Sequence, residues 1–212
     1  MKHSYLAILV VIMMTLSGCA HQNMNKQDKF LSAAPRSILV VPVVNNSVEV
    51  TSADYMLSTI SIPLAERGYY VFPINLVKRV LEDDGLADSS LVHAAPASKL
   101  ASLFGADAVL YINIERWDAR YMVLTTTVTV ALKYEIRDGK TDEVLWQNNA
   151  NMVYQPSGSG GGGLGGLIAQ AVVAAMTKAA PNYMPLARQA NVKALYTYPG
   201  SGLPLGPYAI AQ

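Results

Sequence analysis

Cysteine is almost absent, with one residue, Cys19, in 212. That excludes an internal disulfide and any cysteine-rich zinc or iron–sulfur site. Histidine is nearly as scarce. His3 and His21 lie near the amino terminus, so only His93 falls in the body of the chain, and a polyhistidine metal centre is excluded. Charged residues make up 15% against a usual ~25%, while apolar residues reach 51%, so the chain is no acidic or basic disordered tail. Lys2 is the sole charge before Cys19, and a chain starting at Cys19 carries 15 basic and 15 acidic side chains. That balance argues against nucleic acid as an electrostatic partner. No Gly-x-Ser-x-Gly elbow is present, because Ser157 stands two residues before Ser159 and Pro199 two before Ser201.

What is present first is an address. Lys2 and His3 precede an apolar run from Tyr5 to Leu16, which ends in Leu16-Ser17-Gly18-Cys19. The run is shorter than the ~20 residues that span a bilayer and fits the core of a secretory signal peptide. Leu-Ser-Gly-Cys looks like a bacterial lipobox, in which the cysteine thiol takes a diacylglycerol group and the chain is cut before it. Small residues at 17 and 18 admit the extended backbone to the peptidase. A chance cysteine behind an ordinary signal is the competing reading. Ala20 stands where Asp would signal inner-membrane retention, which favours the outer membrane. Lipidation is therefore expected at Cys19, with outer-membrane lipid as its partner.

Four segments follow from this reading: a signal peptide at 1–18, a lipidated tether at 19–36, an α/β globular domain at 37–195 and an extended tail at 196–212. Ordered structure is expected to begin at Ser37. Ser37 to Val44 reads as a buried strand, and Ser52 can cap a helix over Ala53 to Arg67 that Pro63 should kink or divide. Tyr69 to Pro73 reads as a strand, and Leu76 to Asp83 and Ser98 to Phe104 as helices. Ala108 to Trp117, Tyr121 to Asp138 and Glu143 to Tyr154 read as three long antiparallel strands. Between Tyr121 and Asp138 the even positions are apolar and the odd ones mostly polar, the pattern of a sheet covered on one face. The expected fold class is an α/β two-layer sandwich with a mixed sheet and helices mainly on one face.

The chemistry-bearing candidates are few. Seven of the nine residues from Gly158 to Gly166 are glycine, in a loop spanning 156–166. A phosphate loop would end in Gly-Lys-Ser/Thr, but Gly166 is followed by Leu167 and Ile168. Leu164 to Met176 is apolar almost all round, so it reads as a helix buried between the sheet and a neighbouring subunit, the favoured reading, or inserted into lipid. Glu82-Asp83-Asp84 reads as solvated charge, and His93 as a hydrogen-bonded structural residue. Trp117 and Tyr121, flanking a turn, read either as an exposed contact surface or as sheet-end packing. No catalytic, metal or cofactor-binding residue is expected.

Leu64-Ala65-Glu66-Arg67-Gly68-Tyr69-Tyr70-Val71-Phe72-Pro73 and Leu103-Phe104-Gly105-Ala106-Asp107-Ala108-Val109-Leu110-Tyr111-Ile112 carry a resemblance, with Asp84-Gly85-Leu86 and Val92-His93-Ala94 between them. They are similar to a bacterial outer-membrane lipoprotein family of unknown function that includes a meningococcal surface lipoprotein, and the similarity runs on to Gly206-Pro207. The resemblance implies a periplasm-facing domain with a fold like the amino-terminal domain of TolB and the soluble part of CsgG. It also implies homodimerisation, CsgG-like envelope lipoproteins as candidate partners, and no catalytic residues. The expected function is a non-enzymatic interaction module in envelope assembly or transport. The alternative is a periplasmic lipoprotein that binds a small ligand or glycan on its open sheet face.

Overall fold

The computed structural model describes residues 26–122, 125–154, 183–196 and 201–210. Cys19, the signal peptide, the Gly-rich loop and the helix expected at 164–176 lie outside the described residues, as does the side chain of Tyr121.

Order begins earlier than Ser37. Helix α1 (Lys26–Ala33) precedes the first strand, because Phe30 is buried and packs edge-on against Tyr69 at 6.1 Å. A single aromatic anchor among polar residues leaves no periodic signal, so the segment reads as a tether from sequence alone.

Strand β1 (Ser37–Val40) is buried on both faces, as a central parallel strand must be. It pairs in parallel with β3 (Tyr70–Val71) on one side and β4 (Ala108–Met122) on the other. The strand expected to reach Val44 is instead split. Pro42 has no N–H to give the ladder, so pairing with β4 lapses after the Val41 amide bonds to the Leu110 carbonyl at 3.3 Å. It resumes at β2 (Val44–Asn45), also parallel to β4. Helix α2 (Ser52–Glu66) is not divided at Pro63, which sits in its final turn where few backbone bonds depend on it. Ser52 lies inside this helix rather than capping it, and its hydroxyl donates to the Glu49 carbonyl at 2.7 Å. Helices α3 (Ile74–Asp83), α4 (Ser89–Ala94) and α5 (Ala97–Phe104) follow, with the Asp88 carboxylate capping α4 by accepting from the Ser90 amide at 2.6 Å.

Strand β4 then pairs antiparallel with β5 (Thr125–Asp138), and β5 with β6 (Val144–Tyr154), giving the order β3-β1-β4-β5-β6. Helix α6 (Met184–Tyr196) returns across the sheet. One face of the sheet carries Ile38, Val40, Leu110, Ile112, Ile114, Val130, Leu132, Tyr134 and Ile136 into a core with α2 and α6. The chain is thus an α/β sandwich with one mixed sheet. On the opposite face α3, α4 and α5 cover only the parallel half, over Leu39, Val41, Val109 and Tyr111. Among the described residues, none covers the antiparallel half of that face.

The ladder slips by one residue between Ile114 and Arg116. A bulge reverses the parity of everything beyond it, so Trp117 joins Leu110, Ile112 and Ile114 on the inner face. It is 0% exposed and stacks edge-on against Tyr183 at 5.9 Å, which places it in the core and not on a contact surface. Deeper between sheet and helices runs a buried polar chain. The Tyr134 hydroxyl donates to Asn191 Oδ1 at 2.9 Å, and Asn191 Nδ2 donates to Thr59 Oγ1 at 2.8 Å. Thr59 in turn donates to the Tyr55 carbonyl at 2.7 Å. A phenol on the apolar face of β5 requires such partners.

Candidate functional site

The antiparallel half-face of the sheet is built by register. Asn113, Lys133 and Asn149 lie abreast across β4, β5 and β6, with Tyr111, Glu135 and Gln147 in the next row. Alternation alone turns these positions outward. With Tyr134 and Asn148, all of these except the buried Tyr111 line a shallow polar cleft of 520 Å³.

Charge on this surface is internally matched. Lys133 pairs with Glu115 at 3.2 Å. Glu135 Oε1 accepts from Arg137 Nε at 2.5 Å, and its Oε2 accepts from Gln147 Nε2 at 2.6 Å. Asp142 lies 3.7 Å from the Arg137 guanidinium and also accepts from the Ala97 amide at 2.9 Å. The guanidinium sits 5.4 Å above the ring of Tyr111, which also meets His93 edge-on at 5.1 Å. The cluster therefore joins α4, β4, β5 and the β5–β6 turn.

His93 is committed within this cluster. Its Nε2 donates to the Pro42 carbonyl, which can only accept, at 2.9 Å. Burial holds the imidazole below its usual pKa, against the opposing pull of the Pro42 hydrogen bond. Burial also pushes the Tyr111 phenol up to about 12, with nearby Arg137 working the other way. Its hydroxyl has no hydrogen-bond partner among the described residues. At the far end of β5, burial works to raise the Asp138 carboxyl, but the amides of Lys140 and Thr141, both 2.8 Å from its Oδ1, leave it below the usual range.

This arrangement suits binding better than reaction. General acid–base chemistry needs titratable groups free to reach a substrate, whereas Glu135 is held by two donors and His93 by a backbone carbonyl. The amides of Asn113, Gln147 and Asn149 add uncharged polar groups to the surface, with Gln147 engaged by Glu135.

Of the residues singled out by sequence, His93 is brought into the rim of this surface. Glu82-Asp83-Asp84 is at the end of α3, where Asp83 pairs with Arg79 at 3.2 Å in solvent. Cys19 lies outside the described residues. The cluster of Tyr111, Glu135, Arg137 and Asp142 is missed by sequence, since its members come from three separate segments. Among the described residues there is no group of three or more metal-ligating side chains, and no helix long and apolar enough to cross a membrane.

A family model described as "Putative lipoprotein GNA1162-like" matches residues 27–208. The "Putative lipoprotein NMB1124/NMB1162" of Neisseria meningitidis serogroup B is 31% identical over 214 residues, covering 100% of this chain and 99% of its own length. The crystal structure of lipoprotein GNA1162 from Neisseria meningitidis is matched at 36% identity, over 66% of this chain and 96% of that one, with a TM-score of 0.57. The carboxyl-terminal domain of LpoB from Salmonella enterica is matched at 20% identity over 61% of this chain, with a TM-score of 0.42, too low to carry an argument about function.

Proposed function

The chain belongs to the GNA1162-like lipoprotein family, and from that premise we propose that it is an outer-membrane lipoprotein whose domain serves as a non-enzymatic interaction module in envelope assembly or transport. Membership makes it a lipid-anchored protein of the cell envelope. The finer steps belong to this proposal. Cys19 carries the diacylglycerol and, after cleavage, an acylated amino terminus; the domain faces the periplasm; and two copies associate through the apolar segment Leu164 to Met176. Three acyl chains, at ~0.8 kcal/mol per buried methylene, make such attachment effectively permanent.

The observation that carries the reading is the half-face of the sheet that no described residue covers. It presents amides and matched charges, with its titratable groups engaged by other protein groups, a surface fitted to be recognised and poorly fitted to catalyse. Envelope proteins, CsgG-like lipoproteins among them, are the partners it suits. Pull-down of the acylated protein from crosslinked envelopes should return an envelope protein that is lost when Asn113, Lys133 and Asn149 are replaced by alanine.

A second reading has one observation in its favour, the 520 Å³ cleft with amide side chains beside its paired charges. It would hold a small neutral polar ligand such as a glycan fragment. Should the pull-down return no envelope protein while glycan fragments raise the melting temperature, this reading replaces the first.

A further inference from the structure

We infer that the face formed by α1 and the carboxyl-terminal tail lies against the lipid bilayer, so that the acylated protein stands on the membrane in a fixed orientation. The inference rests on the acylation of Cys19 proposed above.

Between α1 and the tail is a 240 Å³ hollow with an apolar lining that includes Phe30, Leu31, Tyr69, Leu205 and Pro207. At its rim Leu31 is 57% exposed and Leu205 63%, and beside it Tyr208 is 53% exposed. Large apolar side chains scattered singly need no explanation, but a group of them around an apolar hollow marks a contact surface.

The tail is held firmly in this place. The Gly206 amide donates to the Arg67 carbonyl at 2.7 Å, and the Tyr208 amide to the Gly68 carbonyl at 3.0 Å. The Tyr69 hydroxyl donates to the Pro204 carbonyl at 2.8 Å. Leu205 is therefore kept outward by a fixed backbone and is not a frayed end. Arg36 Nη2 donates to the Tyr208 hydroxyl at 3.0 Å, with the guanidinium 5.8 Å from the ring centroid. A phenol and a cation beside apolar side chains are the pair that settles at the boundary between headgroups and hydrocarbon.

Chain length identifies the occupant. Lys26, the first residue of α1, stands seven positions after Cys19. A fully extended chain spans at most ~3.6 Å per residue, so the anchor lies within about 25 Å of α1. Phe30 fixes α1 to the core, so the point where the tether joins the domain at Lys26 moves with the domain. The opposite end of the sheet, where Val153 pairs with Thr129 and Thr129 with Asp118, is ten residues along β4 from Ala108, about 30 Å further away. The apolar hollow thus lies within reach of the anchor, whereas the far end of the sheet at Val153 stands well away from it.

The test uses the full acylated chain in vesicles of phosphatidylethanolamine and phosphatidylglycerol whose acyl chains carry nitroxide quenchers. Acylated Cys19 has no free thiol, so a fluorophore attached to Leu205→Cys, Leu31→Cys or Val153→Cys reports one position at a time. All three positions are more than half exposed, so the substitutions leave the core untouched. Quenching at 205 and 31 should exceed that at 153 by about threefold or more. Equal quenching at the three positions, in protein whose mass includes the acyl groups, overturns the orientation alone. A wild-type chain that itself takes the thiol label and lacks lipid mass overturns the anchor, and this inference with it.

Discussion

His93 and Tyr134 are two side chains whose chemistry the fold alters through burial. Burial holds the His93 imidazole below the 6.5 of a free histidine, so the folded state favours the neutral ring. A depressed histidine pKa means that the unfolded chain binds the proton first on acidification. Stability is therefore expected to fall as pH drops through about 6.5 toward the lower folded value, and to level off below it. Urea unfolding of wild type and His93→Gln at pH 7.5 and pH 5 should show a smaller acid loss in the variant. An equal loss would mean that the ring is not protected. Tyr134 is the donor at the head of the buried chain through Asn191 and Thr59. Tyr134→Phe leaves Asn191 Oδ1 buried without that donor, at a cost of about 1–3 kcal/mol measured by denaturant unfolding. A neutral result would show that Asn191 finds another partner.

At the scale of elements, the tail depends on two glycines. Gly68 has φ +87°, and a Cβ there would stand 2.2 Å from the Ala209 nitrogen; one on Gly206 would stand 2.3 Å from the Gly68 oxygen. Gly68→Ala is expected to cost at least ~1–2 kcal/mol from backbone handedness and to lift the tail. Amide exchange at Gly206 and Tyr208 should then quicken well beyond that of β1, whereas unchanged protection would contradict the packing described. Much of this level can be read from the sequence, and the exceptions have physical causes. The alternation through Val128–Ile136 gives the inner face of β5 directly, and Gly105 ends α5 at φ +70° as a glycine at a helix end should. The bulge beside Glu115 has no compositional mark, yet it reverses the face of Trp117. Pro42 does carry its mark, a missing donor, but whether a strand stops or resumes beyond it depends on the neighbour that waits there. The polar half-face is visible in outline from the odd positions of β5. Asn113, Gln147 and Asn149 join it only through the registers of three strands, which no single segment specifies.

For the whole molecule, the proposal is a domain tethered by lipid, oriented by an apolar face and presenting a neutral polar one. The segment Leu164 to Met176 adds a proposed seam between two copies. Burying Leu167, Ile168, Val172 and Val173 would contribute ~1.5–3 kcal/mol each, enough together to outweigh the entropic cost of association. The chain from Gln22 onward should scatter light as a dimer at micromolar concentration, and Ile168→Asp with Val172→Asp should give folded monomers. A monomeric wild type would reject the seam. Beneath all of this lies the anchor, and the mass of the amino-terminal peptide of protein recovered from outer-membrane fractions tests it most directly. The expected peptide begins at Cys19 and carries a diacylglyceryl group and an amide-linked acyl chain. An unmodified Cys19, or a peptide still bearing residues 1–18, would contradict the account.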